Sequence, residues 1–192
     1  MNFLAHLFLS HETAEAVVGA LLGDFVKGRL TDERYPPAII AGIRRHRAID
    51  CYTDAHPLVR ASRNVVSGPR RRFAPILIDL FYDHLLARDW RCYSAVPLGA
   101  FTRSAYAVLA AHAPSFPEPL RQVLPRLIGE DWLGAYAERT GIERALAGLS
   151  RRVRRGDALV GGVEELVQNE AVLQRYFDAF FAELCAEVAR WK

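Results

Sequence analysis

The sequence has few cysteines and no long apolar run, and both shortages limit what kind of protein it can be. Its three cysteines, Cys51, Cys92 and Cys185, lie far apart and form no C-x-x-C pair. This spacing is typical of free thiols in a reducing compartment rather than of a disulfide framework. The apolar residues 1–9 are interrupted by His6, are too few to span a bilayer and follow no basic segment. We therefore expect a cytoplasmic protein that makes no use of a membrane.

Alternating strand patterns and internal repeats are also missing, whereas apolar residues recur at helical spacing along the chain. The clearest examples are residues 70–91 and the amphipathic segment 163–192. Of the 192 residues, 51% are hydrophobic and 24% charged, which is enough for one well-packed core. The sequence predicts one compact all-α domain spanning residues 1–192.

Capping residues, prolines and glycines mark the ends of the predicted helices. Thr13 is a suitable cap for a second helix that runs through Val26. A third helix begins at Pro36-Pro37 and ends where Pro57 would break it. Further helices are predicted within residues 58–66, 97–113, 117–134, with breaks around Pro125 and Gly129, and 141–155.

The third predicted helix carries a histidine and two carboxylates on one side. His46, Asp50 and Asp54 are spaced four residues apart, so on a helix they project one turn above another. An imidazole nitrogen with carboxylate oxygens suits a hard or borderline divalent cation such as Mn²⁺ or Mg²⁺. This stretch is a candidate metal site, although Asp54 has the alternative of capping the helix after Pro57.

Three other predicted helices carry histidines or carboxylates in apolar surroundings. These residues are His6 on the first helix, Asp24 at the end of the second, and Asp79, Asp83 and His84 on the fourth. Taken singly, each has a plainer role as a core histidine, a helix cap or an ion-pair partner of a nearby arginine. A buried carboxylate is costly unless it is paired or bound to a cation. Their occurrence on four helices is more simply explained by one shared cation site in a bundle core.

The net charge is only +3, yet the arginines occur in clusters. These clusters are Arg44, Arg45 and Arg47, then Arg70, Arg71 and Arg72, then Arg151-Arg152 and Arg154-Arg155. Clustered guanidinium groups suit phosphate or an acidic partner, although a solvated helix face has the same composition. The first cluster flanks His46 and is a candidate for contacting a phosphate oxygen. No cluster interleaves aromatic residues as single-strand nucleic-acid grooves do, so we do not expect nucleic acid as a partner.

Four blocks in the first half of the chain resemble the acyl carrier protein phosphodiesterase family. They read MNFLAHL (1–7), LGDFVKG (22–28), GIRRHRAIDCYTD (42–54) and DLFYDHLLARDW (79–90). The resemblance implies a divergent HD-type phosphohydrolase, an HD-domain-like helical bundle that uses Mn²⁺ or Mg²⁺. It also implies hydrolysis of the 4′-phosphopantetheine arm from holo-acyl carrier protein, an acidic protein, to give the apo protein.

The resemblance also implies roles for particular residues. The metal ligands would fall among His6, Asp24, His46, Asp50, Asp83 and His84. Asp24 or Asp50 would orient the attacking water, and His84 or His46 would protonate the leaving oxygen. Asp54 and Asp79 would hold the ligands without touching the cation. The adjacent pair Asp83-His84 reverses the order of the HD motif, so the sequence leaves open which candidates contact the metal.

An acidic carrier protein would give the arginines a use, and the sequence predicts a docking face from Arg60, Arg63 and Arg70 to Arg72. Two other functions fit the same features. An HD-type nucleotide or alarmone phosphohydrolase would apply the same metal to a small substrate. A non-catalytic helical adaptor would use only its arginines to bind an acidic partner, but this function leaves the carboxylates on apolar helices unexplained.

Overall fold

A computed structural model describes residues 1–30 and 34–191 of the chain. Within these ranges the chain forms ten α-helices and no strand, which confirms the predicted all-α class. The helices are α1 (Phe3–Phe8), α2 (Ala14–Leu22), α3 (Pro37–Ala55), α4 (Pro57–Val65), α5 (Ala74–Arg88), α6 (Leu98–His112), α7 (Glu118–Gly129), α8 (Trp132–Ala135), α9 (Arg139–Ser150) and α10 (Val163–Val188). No helix of the described ranges combines the length and the apolar character needed to cross a bilayer.

The long C-terminal helix α10 packs across α3, α4, α5 and α9, as its amphipathic pattern predicted. Phe177, Phe180, Phe181 and Leu184 have no exposed surface and recur at three- and four-residue steps along one side of the helix. Aromatic side chains of this size contribute the largest buried apolar areas of a core. Helix α10 therefore provides a buried aromatic surface against which α3, α4, α5 and α9 pack.

Helices α2 and α3 lie unusually close together because two glycines face each other. A Cβ atom added to Gly19 would lie 2.6 Å from the Cα of Gly42, and one added to Gly42 would lie 2.9 Å from the Cα of Gly19. These are backbone atoms, which cannot give way as a flexible side chain would. The contact holds the C-terminal end of α2 against the middle of α3, where His46 lies.

The end of α2 differs from its predicted position. Thr13 caps the helix as predicted, since its hydroxyl oxygen accepts the N–H of Ala16 at 3.1 Å. The helix ends at Leu22 rather than at Val26, because the chain turns beyond Gly23 and the carbonyl of Val26 accepts a hydrogen bond from Arg47 at 2.7 Å. This turn brings residue 24 to the side of α3 instead of continuing the helix past it.

One of the two helix breaks predicted within residues 117–134 is present in the structure. Gly129 ends α7 as predicted, but Pro125 lies within that helix. A proline removes one intrahelical hydrogen bond, and here Leu120, Leu124 and Leu127 bury one side of the helix and hold it in place. The predicted break at Pro57 is confirmed, because α3 ends at Ala55 and Pro57 opens α4.

Candidate metal centre

Helices α1 and α3 bring two imidazole rings face to face. The rings of His6 and His46 are stacked with their centroids 3.7 Å apart and their planes inclined by 16°. Both Nε2 atoms point to one carboxylate: His6 Nε2 lies 3.0 Å from Asp50 Oδ1, and His46 Nε2 lies 3.1 Å from Asp50 Oδ2. Among the described residues these three form the only group of metal-ligating side chains whose ligand atoms all lie within 4.8 Å of one another.

The hydrogen bonds of His46 indicate which of its nitrogens faces the carboxylate. Its Nδ1 lies 2.7 Å from the carbonyl oxygen of Ala20, which can only accept, so Nδ1 carries the proton and donates it. In the neutral ring, Nε2 is then a lone pair facing the oxygens of Asp50. The Nε2 lone pair and the carboxylate oxygens repel each other, and a cation between them would remove this repulsion. Histidines that bind metals usually donate their other ring nitrogen to a group such as a backbone carbonyl. The donor set therefore fits a divalent cation.

The two histidines of the cluster are buried, whereas its two carboxylates are partly exposed. His6 and His46 are 1% and 2% exposed, whereas the side chains of Asp50 and Asp24 are 39% and 41% exposed. Burial lowers the pKa of His6 to about 3, so its ring is neutral at pH 7 and able to bind a cation. The imidazoles thus form the buried side of the cluster, and the carboxylates form the side that is open to solvent.

Asp50 and Asp24 differ in their preference for a proton. Although burial opposes ionisation of Asp50, its close contacts with the rings of His46 and His6 hold its pKa below the usual range. Burial raises the pKa of Asp24, and the nearby ring of His46, whose Nε2 lies 3.8 Å away, only partly offsets this effect. Asp50 is therefore the permanent anion of the site, and Asp24 is the group at its edge that takes up a proton more readily.

Asp83 does not lie among the ligand atoms, contrary to the resemblance-based prediction. Its two oxygens accept the backbone N–H groups of Leu4 and Ala5 at 2.8 and 3.1 Å, so the fully buried carboxylate caps the start of α1. Such a cap satisfies N–H groups that a helix N-terminus leaves unpaired. Asp83 thereby holds α1, and with it His6, in position.

The buried carboxylate of Asp83 predicts a pH-dependent stability. Burial raises its pKa to about 7, although the N–H groups of Leu4 and Ala5 partly lower it. A raised folded-state pKa contributes stability that is complete below about pH 4 and is lost as the pH rises through about 7. We expect Asp83 to contribute a fall of a few kcal/mol in the free energy of unfolding over that window, a contribution that Asp83→Asn lacks. Urea unfolding of both proteins at pH 5 and pH 8 measures the difference. An equal change in the free energy of unfolding between the two pH values in both proteins would contradict the prediction.

His84 is likewise directed away from the cluster. Its Nδ1 lies 2.8 Å from the carbonyl oxygen of Tyr136, on the side of α5 that faces the segment after α8. It is 2% exposed, and burial lowers its pKa. The structure therefore places His84 neither with the ligand atoms nor where it would protonate a group leaving from the cluster.

The two carboxylates predicted to support the ligands have different surroundings. Asp54 is exposed and forms a 2.5 Å ion pair with Arg63, which ties α3 to α4 at the surface and corrects its predicted role beside the ligands. The α-amino group of Met1 lies 3.2 Å from Asp79 Oδ1 and 3.6 Å from Asp50 Oδ1. Asp79 is thus connected to Asp50 through this group, which agrees with its predicted place behind the ligands.

Most arginines of the first two predicted clusters are engaged within the chain. Arg45 pairs with Glu12 at 3.0 Å, and Arg47 donates to the carbonyls of Val26 and Gly28. Arg44 is exposed on α3. In the second cluster Arg70 contacts Glu164 and Glu165, Arg71 donates to Asn64, and Arg72 donates to the carbonyl of Arg155. These contacts stabilise local structure and leave little of either cluster for phosphate.

Two contributions to the site were not predicted. One is the Ala20 carbonyl that fixes the tautomer of His46, for which no pattern in the sequence gives a signal. The other is Gly23, where an added Cβ would lie 2.1 Å from Cγ and 2.7 Å from Cβ of His46. A glycine directly before a candidate carboxylate, Asp24, was the available signal, since glycine permits close approach. Both lie at the end of α2, which the close contact with α3 holds in place.

Comparison with known proteins shows which family the chain belongs to. A family model described as acyl carrier protein phosphodiesterase matches residues 1–184. An acyl carrier protein phosphodiesterase of Serratia proteamaculans (strain 568) is 38% identical over 185 residues, which cover 96% of this chain and 95% of the relative. Proteins of the same name from Salmonella paratyphi A and Yersinia enterocolitica are 38% and 36% identical, over 191 and 188 residues. They cover 99% and 97% of this chain and 98% and 97% of their own lengths.

The likeness therefore extends well beyond the four blocks in the first half of the sequence. No solved structure matches the chain. Its predicted relation to HD-type hydrolases accordingly stays a prediction.

Proposed function

Because this chain belongs to the acyl carrier protein phosphodiesterase family, we propose that it hydrolyses holo-acyl carrier protein to the apo protein and 4′-phosphopantetheine. We further propose that a divalent cation, Mn²⁺ or Mg²⁺, is held by His6, His46 and Asp50. One observation carries the metal part of the proposal: two buried imidazoles direct Nε2 to the same carboxylate, and one of them donates Nδ1–H to a backbone carbonyl. Imidazole and carboxylate donors suit these cations.

Each side chain of the cluster has a separate task. Asp50 keeps its negative charge, which balances a cation, and the buried rings of His6 and His46 exclude water from one side. When bound, the cation lowers the pKa of water and polarises a phosphoryl oxygen. The exposed carboxylates leave the opposite side open to a phosphodiester.

Asp24 is the group placed to handle the proton of the attacking water. Its carboxylate lies 3.8 Å from His46 Nε2 on the open side, and its raised pKa makes it a better base than Asp50. The water oxygen bonds to phosphorus as Asp24 takes its proton. The bond from phosphorus to the serine oxygen breaks, the serine oxygen takes the proton that Asp24 accepted, and the arm leaves with the phosphate.

Mass spectrometry of holo-acyl carrier protein tests this proposal. Incubation with the protein and Mn²⁺ or Mg²⁺ should remove the mass of 4′-phosphopantetheine, and a chelator should prevent the loss. A panel of nucleotides under the same conditions should stay intact, which separates this activity from a nucleotide phosphohydrolase. An unchanged carrier mass with either cation would refute the proposed reaction, and full cleavage in excess chelator would refute its dependence on metal.

A further inference from the structure

A groove of about 860 Å³ runs between α7, α8 and α9 and reaches the elements that carry the candidate metal centre. Its lining includes Phe3 of α1 and Phe25, whose rings stack with centroids 6.5 Å apart. Phe25 directly follows Asp24, the carboxylate on the open side of the cluster. The groove therefore extends to a residue that adjoins Asp24 in the chain.

The floor of the groove is apolar and its rim is basic. Val123 of α7 and Ala145 and Leu149 of α9 are among its half-buried lining residues. The charged residues that line it are Arg126, Arg144, Arg151, Arg152 and Glu130. With four arginines and one glutamate, the rim has a clear excess of positive charge, which favours an acidic occupant.

Two of these arginines have no side-chain partner within the described part of the chain. Arg126 pairs with Glu130 at 3.1 Å, and Arg144 contributes to lowering the pKa of the same glutamate. In the described part of the chain, the exposed side chains of Arg151 and Arg152 form neither a hydrogen bond nor an ion pair. They are thus available to a partner, unlike Arg70 to Arg72, whose contacts lie within the chain.

We propose that this groove is the docking site of the acyl carrier protein itself, which presents an acidic amphipathic helix to the apolar floor and to Arg151 and Arg152. The inference rests on the proposed function for the identity of the partner. A helix in a groove buries an apolar side and leaves acidic residues to meet the rim. The pantetheine arm is uncharged beyond its phosphate, so it would give the rim arginines no counter-charge. Docking here would set the modified serine at the Phe3 and Phe25 side of the groove, where the lining comes from elements next to the candidate metal centre.

Binding of apo-acyl carrier protein, which lacks the arm, tests the docking site apart from catalysis. We expect the double variant Arg151→Glu/Arg152→Glu to bind the apo protein at least tenfold more weakly in fluorescence anisotropy, because two attractions become repulsions. The matched control is Arg103→Glu/Arg175→Glu, which makes the same charge change at exposed positions outside the groove. The control should stay within about twofold of wild type. Equal weakening in both variants, or no change in the first, would overturn the proposal.

Kinetics separate a wrong docking site from a wrong function. In Arg151→Glu/Arg152→Glu the KM for holo-acyl carrier protein should rise at least tenfold, while kcat and the turnover of bis(p-nitrophenyl) phosphate stay near wild type. Hydrolysis of the holo protein with an unchanged KM in this variant would overturn the docking site and leave the function standing. Arginine-dependent binding of apo protein without any hydrolysis of the holo protein would overturn the function and leave the docking site standing. Circular dichroism melting checks that both double variants are folded.

Discussion

Replacing Asp50 with alanine is expected to abolish Mn²⁺ binding and to slow hydrolysis of holo-acyl carrier protein by roughly 10³-fold or more. Asp50 is the carboxylate that both imidazole Nε2 atoms face, at 3.0 and 3.1 Å, and within the described chain it is the only acid in that group. A bound cation contributes several kcal/mol of charge stabilisation in the transition state, and about 4 kcal/mol corresponds to three powers of ten in rate. Isothermal titration with Mn²⁺ and the mass assay measure the two losses.

A neighbouring carboxylate provides the control for Asp50→Ala. Asp54 lies one turn further along α3, but it is 67% exposed and pairs with Arg63. Asp54→Ala should keep the Mn²⁺ affinity and the rate within a few-fold of wild type, since exposed ion pairs contribute about 1 kcal/mol or less. Retention of metal binding in Asp50→Ala, or an equal loss in Asp54→Ala, would show that the cation lies elsewhere.

Replacing Gly23 with alanine should weaken Mn²⁺ binding and reduce kcat/KM by roughly 10²-fold, although the added group is only a methyl. Its Cβ would lie 2.1 Å from Cγ and 2.3 Å from Cδ2 of His46, far inside van der Waals contact. Because the Cβ of His46 would also be only 2.7 Å away, rotation of the ring alone does not relieve the overlap. The ring must move, and its 2.7 Å hydrogen bond to Ala20 is then stretched or lost.

Gly129→Ala is the matched control for this substitution, because an added Cβ there meets no atom within 4 Å. It should leave metal affinity, activity and folding near wild type. If Gly23→Ala binds Mn²⁺ and hydrolyses its substrate as well as Gly129→Ala does, the position of His46 is not critical. A loss of folding in Gly23→Ala is recognised by its circular dichroism spectrum and would leave Asp50→Ala as the test of the site.

The parts of the site that depend on one helix were predictable from the sequence. His46 and Asp50 are four residues apart, so the geometry of α3 alone places them on one side, and their Nε2 and Oδ2 atoms lie 3.1 Å apart. His6 and Asp24 were candidates because they interrupt apolar segments, where a charge needs a partner. The stacking of His6 on His46 depends on the packing of α1 and α3, which no local pattern contains.

The adjacent residues Asp83 and His84 show where helix periodicity stops being informative. Neighbours on a helix point about 100° apart, so the two side chains cannot face the same site equally. The sequence alone does not say which direction each takes. In the structure Asp83 faces α1 and caps it, while His84 faces the carbonyl of Tyr136. The same limit applies to the arginine clusters, because contacts such as that of Arg72 with the carbonyl of Arg155 join residues far apart in the sequence.

We propose that His6, His46 and Asp50 hold the cation that hydrolysis requires. Anomalous diffraction near the manganese absorption edge, from crystals of the wild-type protein grown with Mn²⁺, tests it most directly. We predict an anomalous peak within about 2.5 Å of Nε2 of both histidines and of an Asp50 oxygen. A peak beside Asp83 or His84 instead, or no peak in protein that still cleaves holo-acyl carrier protein in the presence of chelator, would contradict it.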